Sequence, residues 1–451
     1  MRHPSFWQGI DTRERLGWAC YDWANSAYVL CVITVLGSAY FVGVFEHTAR
    51  EAGELLVGKT PALRVGGVAL TAEAAWSFII AASALIVAVS SPLLGAIADA
   101  RGTRLRFLQA FCGLGVVATL GMWFALPWWG VGLLILLGNI GYEGGNVYYN
   151  AFLPDIAPVT LQGRVSAWGY ALGYVGSVLV LIAALAFFVP PRGDVRDAFL
   201  MIGLWWGGFA LVTFRLLREP TLAAPRASLR RITSQAWREL RGTVRNLRHT
   251  PQAGKFLLAF LLYNDGIATL ISNATPYALQ NIYLDDALTQ NITLAELIPA
   301  IIMIQVIAAP GALFCGWLAT RYGEKAALYF TLTIFSAVVT YGQVAVLVHE
   351  FYVMAAMIGV VLGGAQAVSR ALFASFVPPG KSAEFFAFFA FSAKFSAMFG
   401  PLIYGLILVF TGDTRLALLS LTVFFVIGGV VLYFVNIPQG QEEARHAHEA
   451  A

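Results

Sequence analysis

The sequence predicts an all-α membrane protein with twelve transmembrane helices in two pseudo-symmetric six-helix bundles. Three observations carry that prediction. The first is composition: 59% of the 451 residues are hydrophobic, only 12% are charged, and the mean hydropathy is +0.72. Soluble domains carry about 25% charged residues. The second is that apolar runs of about 20 residues, the length of one span, recur twelve times. The third is an internal repeat, because the two halves carry similar short motifs in the same order.

The runs fall at approximately 18–45, 74–98, 105–126, 130–153, 166–189, 197–217, 255–277, 295–318, 326–348, 351–373, 385–410 and 415–435. Only tight turns, Pro127-Trp128-Trp129 and His349-Glu350, precede the fourth and tenth. The first run is too long for a cleavable signal peptide and no small-residue cleavage site follows it, so it is expected to remain as a span. The chain divides into a first bundle at 1–217, a linker at 218–254, a second bundle at 255–436 and a tail at 437–451. In the linker, Leu229, Ile232, Ala236, Leu240, Val244 and Leu247 recur at helical spacing between arginines. That pattern predicts a basic amphipathic helix on the membrane surface.

Twelve spans put both termini on one side. Of the 29 Lys and Arg residues, 22 fall on the terminus side, six on the other, and Lys394 lies inside a span. This bias predicts that the termini, linker and tail are cytoplasmic. The basic residues are accounted for by topology, so no nucleic-acid partner is expected. Cys20, Cys31, Cys112 and Cys315 lie in or beside apolar runs without metal-ligand spacing. They read as free thiols, and neither a metal nor a cofactor is expected. There is no P-loop, zinc motif or nucleophile elbow. An enzyme and a self-contained ATP-driven pump are therefore not expected.

The repeat is visible residue by residue. Gly95, Asp99, Gly102 and Arg104 after the second span are answered by Gly316, Thr320, Gly323 and Lys325 after the eighth. Gly144-Gly145 is answered by Gly363-Gly364, and Tyr21-Asp22 by Tyr263-Asn264-Asp265. This order resembles the major facilitator superfamily, with residues 95–104 matching its loop 2–3 signature. Tyr21-Asp22-Trp23-Ala24-Asn25-Ser26-Ala27, Tyr149-Asn150-Ala151-Phe152-Leu153-Pro154-Asp155-Ile156, Gly163-Arg164-Val165-Ser166 and Tyr263-Asn264-Asp265-Gly266 are similar to its vacuole effluxer branch. So are Gln366, Ser369-Arg370, Pro378-Pro379-Gly380 and Glu384-Phe385-Phe386. That branch comprises autophagy-related vacuolar amino-acid permeases and their bacterial relatives. The resemblance implies a major facilitator fold, a monomer in a bacterial inner membrane, and gating roles for Asp99, Arg104, Asp155 and Arg164.

Intramembrane polar residues are costly, so they mark protein- or water-facing surfaces. Asp22, Asn25 and Ser26 share one face of the first span. Asp22 reads either as a cavity or gate residue or as a cap near the membrane edge. Asn139, Glu143, Asn146 and Asn150 form a single stripe down the fourth span. Its two readings are cavity lining and interhelical hydrogen bonding. Glu143 is the leading candidate to exchange a proton. Tyr170 and Tyr174 share a face of the fifth span, and Asp265 and Thr269 a face of the seventh, beside Asn264. Lys394 is the one mid-membrane lysine and needs a partner: Asp265, Glu143 or a substrate carboxylate. Gln366 and Arg370 stand near the inner end of the tenth span, Arg370 as an inner-gate ion pair or a snorkelling cation.

These residues predict a secondary transporter moving a small polar solute by alternating access, with protons as the candidate coupling ion. The resemblance implies an amino acid. Two alternatives stand: export of amphiphilic or drug-like compounds, suggested by 14% aromatic residues, and a sensor or scaffold without flux. Membrane lipids are the other expected partners.

Overall fold

The computed structural model of the chain describes residues 6–52, 55–57, 60–65, 68–188, 193–219, 250–285, 290, 292, 294–396, 399–411 and 413–449. Twelve helical rods run through these residues. The first half holds α1 (Arg13–Glu51), α2 (Ala72–Arg101), α3 (Arg104–Gly121), α4 (Trp128–Ala151), α5 (Val159–Phe187) and α6 (Val195–Leu216). The second holds α7 (Pro251–Asn281), α8 (Leu294–Tyr322), α9 (Glu324–Tyr341), α10 (Val348–Ala374), α11 in two pieces (Ser382–Ser396 and Phe399–Thr411) and α12 (Thr414–Tyr433). A last helix, α13 (Ile437–Glu449), follows. Most of the predicted linker helix, residues 220–249, lies outside the described residues.

Eight of the rods are long and apolar enough to cross a membrane on those grounds alone. The other four are α3, α4, α9 and α11. Residues Asn139, Glu143, Asn146 and Asn150 lower the hydropathy of α4, and α3 and α9 are only 18 residues long with ionic residues in their first turns. The eleventh run was expected as one span over 385–410. Its two pieces have their ends at Ser396 and Phe399.

Helix ends follow local chemistry. Thr12 caps α1 by accepting from the Arg15 amide at 3.2 Å. Its hydroxyl satisfies a backbone donor that no carbonyl can reach. Gly102 closes α2 at φ +58°, where a Cβ would be strained, and its repeat counterpart Gly323 sits at φ +93°. Within α1, residues Tyr28–Val35 form a π-helical turn, with the Thr34 hydroxyl donating to the Val29 carbonyl at 3.0 Å. Such turns concentrate at functional positions.

One element was not foreseen from the apolar runs. The interval between the first two spans carries a three-stranded antiparallel sheet: β1 (Leu55–Val57), β2 (Thr60–Val65) and β3 (Val68–Thr71), in the order β1-β2-β3. Val57 pairs with Thr60 and Val65 with Val68, which fixes the register of both strand pairs. A search for 20-residue runs has no sensitivity to strands of three to six residues.

Within the first half, α1 packs on α5 and α6, α2 on α4, and α3 on α4. In the second half, α8 packs on α10 and α7 on α12. The halves meet where α2 and α4 touch α11 and where α5 touches α8 and α10. Small residues permit these approaches. A Cβ on Gly141 of α4 would stand 2.4 Å from the Gly115 nitrogen of α3. Gly113, by contrast, faces open space. Gly141→Ala must push the two helices apart, an overpacking cost of roughly 1–3 kcal/mol. Thermal unfolding of the purified protein in detergent should show a clear loss for Gly141→Ala and none for Gly113→Ala; equal melting of the two would contradict the close approach.

Candidate functional site

Three layers of side chains join the halves, stacked from the terminus end inward.

The outermost layer is built on the α2–α3 turn. The Arg104 Nε donates to Asp99 Oδ1 at 2.6 Å, and its Nη1 donates to Asp155. Arg104 and Asp99 are both buried. Asp99 also reaches across to the second half: its two carboxylate oxygens accept from the Ala383 and Glu384 amides at 3.1 and 2.9 Å. Those amides begin the first piece of α11, so a carboxylate caps the positive end of a helix from the opposite half. Gly95 makes room, since a Cβ there would lie 2.7 Å from the Ala383 carbonyl. Glu219, just beyond α6, accepts from the Arg104 and Leu105 amides at 2.8 and 2.7 Å and caps α3 in the same way.

The repeat counterpart of this layer carries no acid. Thr320 donates to the Gly316 carbonyl of its own helix at 2.8 Å. Contact there comes from small residues instead, with Gly316 facing Ala167 and Gly163 of α5. Arg164 stands at the start of α5, where its carbonyl lies against Gly9 of the Phe6–Gly9 turn.

The second layer is a buried ion pair between the halves. Arg370 of α10 is 2% exposed and Asp22 of α1 is 6% exposed. Nη1 and Nη2 of Arg370 each donate to Asp22 Oδ2 at 3.2 Å. The guanidinium is satisfied further by first-half acceptors: Asn150 Oδ1 at 3.2 Å, the Ser166 carbonyl at 2.9 Å and Ser166 Oγ at 2.8 Å. Ser166 Oγ in turn donates to the Ala367 carbonyl at 2.7 Å, and the Tyr149 hydroxyl donates to Asp22 Oδ2 at 2.8 Å. Trp18, Tyr149 and Tyr170 surround the cation, with ring centres 4.6, 5.5 and 4.2 Å from its central carbon. Gly169 admits the pair, because a Cβ there would lie 2.5 Å from Asp22 Oδ2 and 3.0 Å from Arg370 Nη2.

Such a buried pair is stable only while every donor and acceptor is satisfied. Here one arginine of the second half fills an acid-and-aromatic box made wholly by the first. Desolvated cation–π contacts add about 2 kcal/mol.

The third layer is a cavity of about 380 Å³ on the far side of this pair. Of the nineteen described lining residues eleven are apolar, among them Leu30, Leu297, Ile301 and Phe351. The polar ones are Ser26, Thr34, Tyr142, Tyr170, Tyr174, Ser177, Gln305 and Gln366. The π-helical turn of α1 contributes Val29, Leu30 and Thr34. Tyr170 links the layers, lining the cavity while stacking on Arg370. Tyr174 donates to Gln366 Oε1 at 2.8 Å, a further bond between the halves.

The structure redistributes the other residues singled out from sequence. Asn139 donates to Ser83 of α2 at 2.7 Å, and Asn25 donates to Asn146 at 2.9 Å. Asn139 and Asn146 of the α4 stripe thus bond helices together, and Asn150 reaches the ion pair. Glu143 and Asn264 are half-buried. Asp265 is fully buried and stands apart from the cavity lining. Its Oδ2 accepts from the Gly400 amide at 2.8 Å, which caps the second piece of α11, and Thr269 lies against the same glycine. Asp265 thus meets a helix-end amide, the buried pair between the halves is Asp22 with Arg370, and the expected partnership of Lys394 with Asp265 or Glu143 falls on a side chain outside the described residues. Trp18, Ser166 and Gly169 were not singled out as partners of the pair. The one available signal was spacing: Trp18 precedes Asp22 by one helical turn, as Ser166 precedes Tyr170.

Comparison with known proteins agrees with this architecture. The chain is 30% identical over 436 residues to the uncharacterized MFS-type transporter YxiO of Bacillus subtilis, covering 94% of this chain and 95% of that one. It is 25% identical to autophagy-related protein 22 of Coccidioides immitis, covering 100% and 92%. Among solved structures, the human organic anion transporter MFSD10 superposes with TM-score 0.68 at 15% identity, covering 95% of this chain and all of that one. FucP in its outward conformation superposes with TM-score 0.62 at 12% identity, covering 95% and 99%. The effluxer family and the transporter-type relative favour transport over the reading as a sensor or scaffold without flux. With residues 11–445 matching the family described as vacuole effluxer Atg22 like, the chain belongs to that family and is a multi-pass membrane transporter of the major facilitator fold.

Proposed function

We propose that this transporter moves an amino acid by alternating access, with the substrate held in the 380 Å³ cavity and Asp22–Arg370 as the gate beneath it. The carrying observation is the buried ion pair between the halves at the floor of a cavity that is part polar, part aliphatic. The lining offers hydroxyls and amides on the α1, α4 and α5 side and at Gln305 and Gln366, while Leu297, Ala300, Ile301 and Ile304 present an apolar wall. This division suits a small zwitterion with an apolar side chain. The volume lies within the usual range for small-molecule sites.

In this reading the terminus side is cytoplasmic, as the Lys and Arg bias supports, and residues 1–217 and 255–436 rock as units joined by 218–254. Closing that side requires Arg370 to enter the first-half box and Asp99 to cap α11. Opening it requires both contacts to break. A proton arriving on Asp22 would remove the charge that holds Arg370, so Asp22 is the carboxylate we assign to coupling. Asp155 and Arg164 support the outer layer. A second reading, transport of an amphiphilic compound, draws on the apolar majority of the described lining.

Purified protein in liposomes separates the readings. Saturable flux of amino acids, accelerated by an imposed proton gradient, is the expected result. Failure of every amino acid to move, with or without the gradient, would overturn the substrate class. Flux confined to amphiphiles would favour the second reading.

Two variants test the gate. Gly169→Ala places a methyl between Asp22 and Arg370, and Arg370→Lys keeps the charge but loses the planar fork that meets Asp22, Asn150 and Ser166 together. Removing one partner's contacts from such a pair costs about 3–5 kcal/mol. Each variant should lower flux at least about tenfold while remaining folded by circular dichroism. Wild-type flux from Arg370→Lys would contradict the gate.

A further inference from the structure

A second concave surface lies away from the transport path, between α9 and α12. This groove, of about 550 Å³, is lined by Tyr329, Leu332, Thr333 and Ser336 on one side and by residues from Phe425 to Phe434 on the other. Residues 329, 332, 333 and 336 fall on one face of α9 and span roughly 10 Å of helix. Gly429 forms the notch in the opposite wall, and its carbonyl accepts from the Tyr329 hydroxyl at 3.0 Å. Val426 and Val430 are largely exposed, as are Tyr433 and Phe434 at the terminus end. In a chain that crosses the bilayer, this outward surface meets acyl chains, and the two aromatics mark the headgroup level.

A cation stands at that end. Lys325 Nζ donates to the Tyr433 carbonyl at 2.9 Å and lies 6.0 Å from the centre of the Tyr433 ring. That one bond leaves two of the three ammonium hydrogens for another acceptor. The ammonium is therefore held at the mouth of an apolar slot, at the depth where a lipid phosphate sits.

We infer that this groove binds an anionic phospholipid of the leaflet on the terminus side, with one acyl chain between α9 and α12 and its headgroup phosphate on Lys325. The chain length accommodated is about 10 Å, the part of an acyl chain nearest the headgroup. A zwitterionic lipid fits the slot equally well. The net charge of the headgroup is what Lys325 discriminates.

Native mass spectrometry of the detergent-purified protein, titrated with phosphatidylglycerol or phosphatidylcholine, tests the assignment. Wild type should retain phosphatidylglycerol about fivefold more tightly, the difference expected for one well-placed cation near the membrane surface. Lys325→Ala should abolish that preference, Lys325→Arg should restore it, and Gly429→Leu, which fills the notch, should weaken both lipids. Arg106→Ala removes an exposed cation at the same end of the first half and should change nothing. Equal retention of the two lipids by wild type would overturn the inference. So would a preference that survives Lys325→Ala or disappears in Arg106→Ala.

Discussion

One buried ion pair organises the interface between the halves. Arg370 cannot sit unpaired in a dry interior, and neither can Asp22. Placed on different halves, they make closure of the terminus side a condition for burying either charge. Every donor of the guanidinium that reaches the first half finds an acceptor there, and three aromatic faces exclude water around it. The arrangement is all-or-none: a partial retreat of α10 would leave two charges in a low-dielectric space with fewer partners. That is the physical basis of the two-state gate we propose.

The outer layer adds a one-sided contact between the halves. Asp99 caps α11, but the repeat position in the second half is Thr320, whose hydroxyl is used within its own helix. The two halves therefore share a backbone plan and differ in chemistry. On the α5–α8 side, closure rests on van der Waals contact among Gly163, Ala167 and Gly316. Such contact tolerates sliding, whereas a carboxylate on helix-end amides fixes position. In the proposed gate the α2–α11 seam is thus the one held by directional bonds, and the α5–α8 seam the one held by packing alone.

Much of this was legible in the sequence, for identifiable reasons. Apolar run length reports spans directly, because every buried backbone group in a bilayer must be satisfied within its own helix. The glycine spacing of residues 95–104 and 316–325 located the two matching turns, and the cost of intramembrane charge drew attention to Asp22 and Arg370 singly. What periodicity could not supply was who meets whom. Asp22 and Arg370 are 348 positions apart, and a helical stripe gives depth without giving the direction a helix faces. From sequence, Asp265 reads as a cavity residue or as one of a buried pair with a neighbouring helix. Packing instead turned Asp265 to the Gly400 amide. Asn139 met the same fate, since a polar residue serves equally as lining or as a bond to the next helix, and only the position of Ser83 decides. The β1–β3 sheet was missed because its strands are too short for any span-length pattern to register.

The direct test of the gate is the distance across the terminus side. Spin labels at Ala100, beside the Asp99 latch, and at Lys381, before α11, report it in a background where the four cysteines are replaced. Double electron–electron resonance should give one short, narrow population for the otherwise wild-type protein and a second, longer one in Arg370→Ala and in Asp22→Asn. Distances unchanged by both substitutions would show that the ion pair does not hold the halves together.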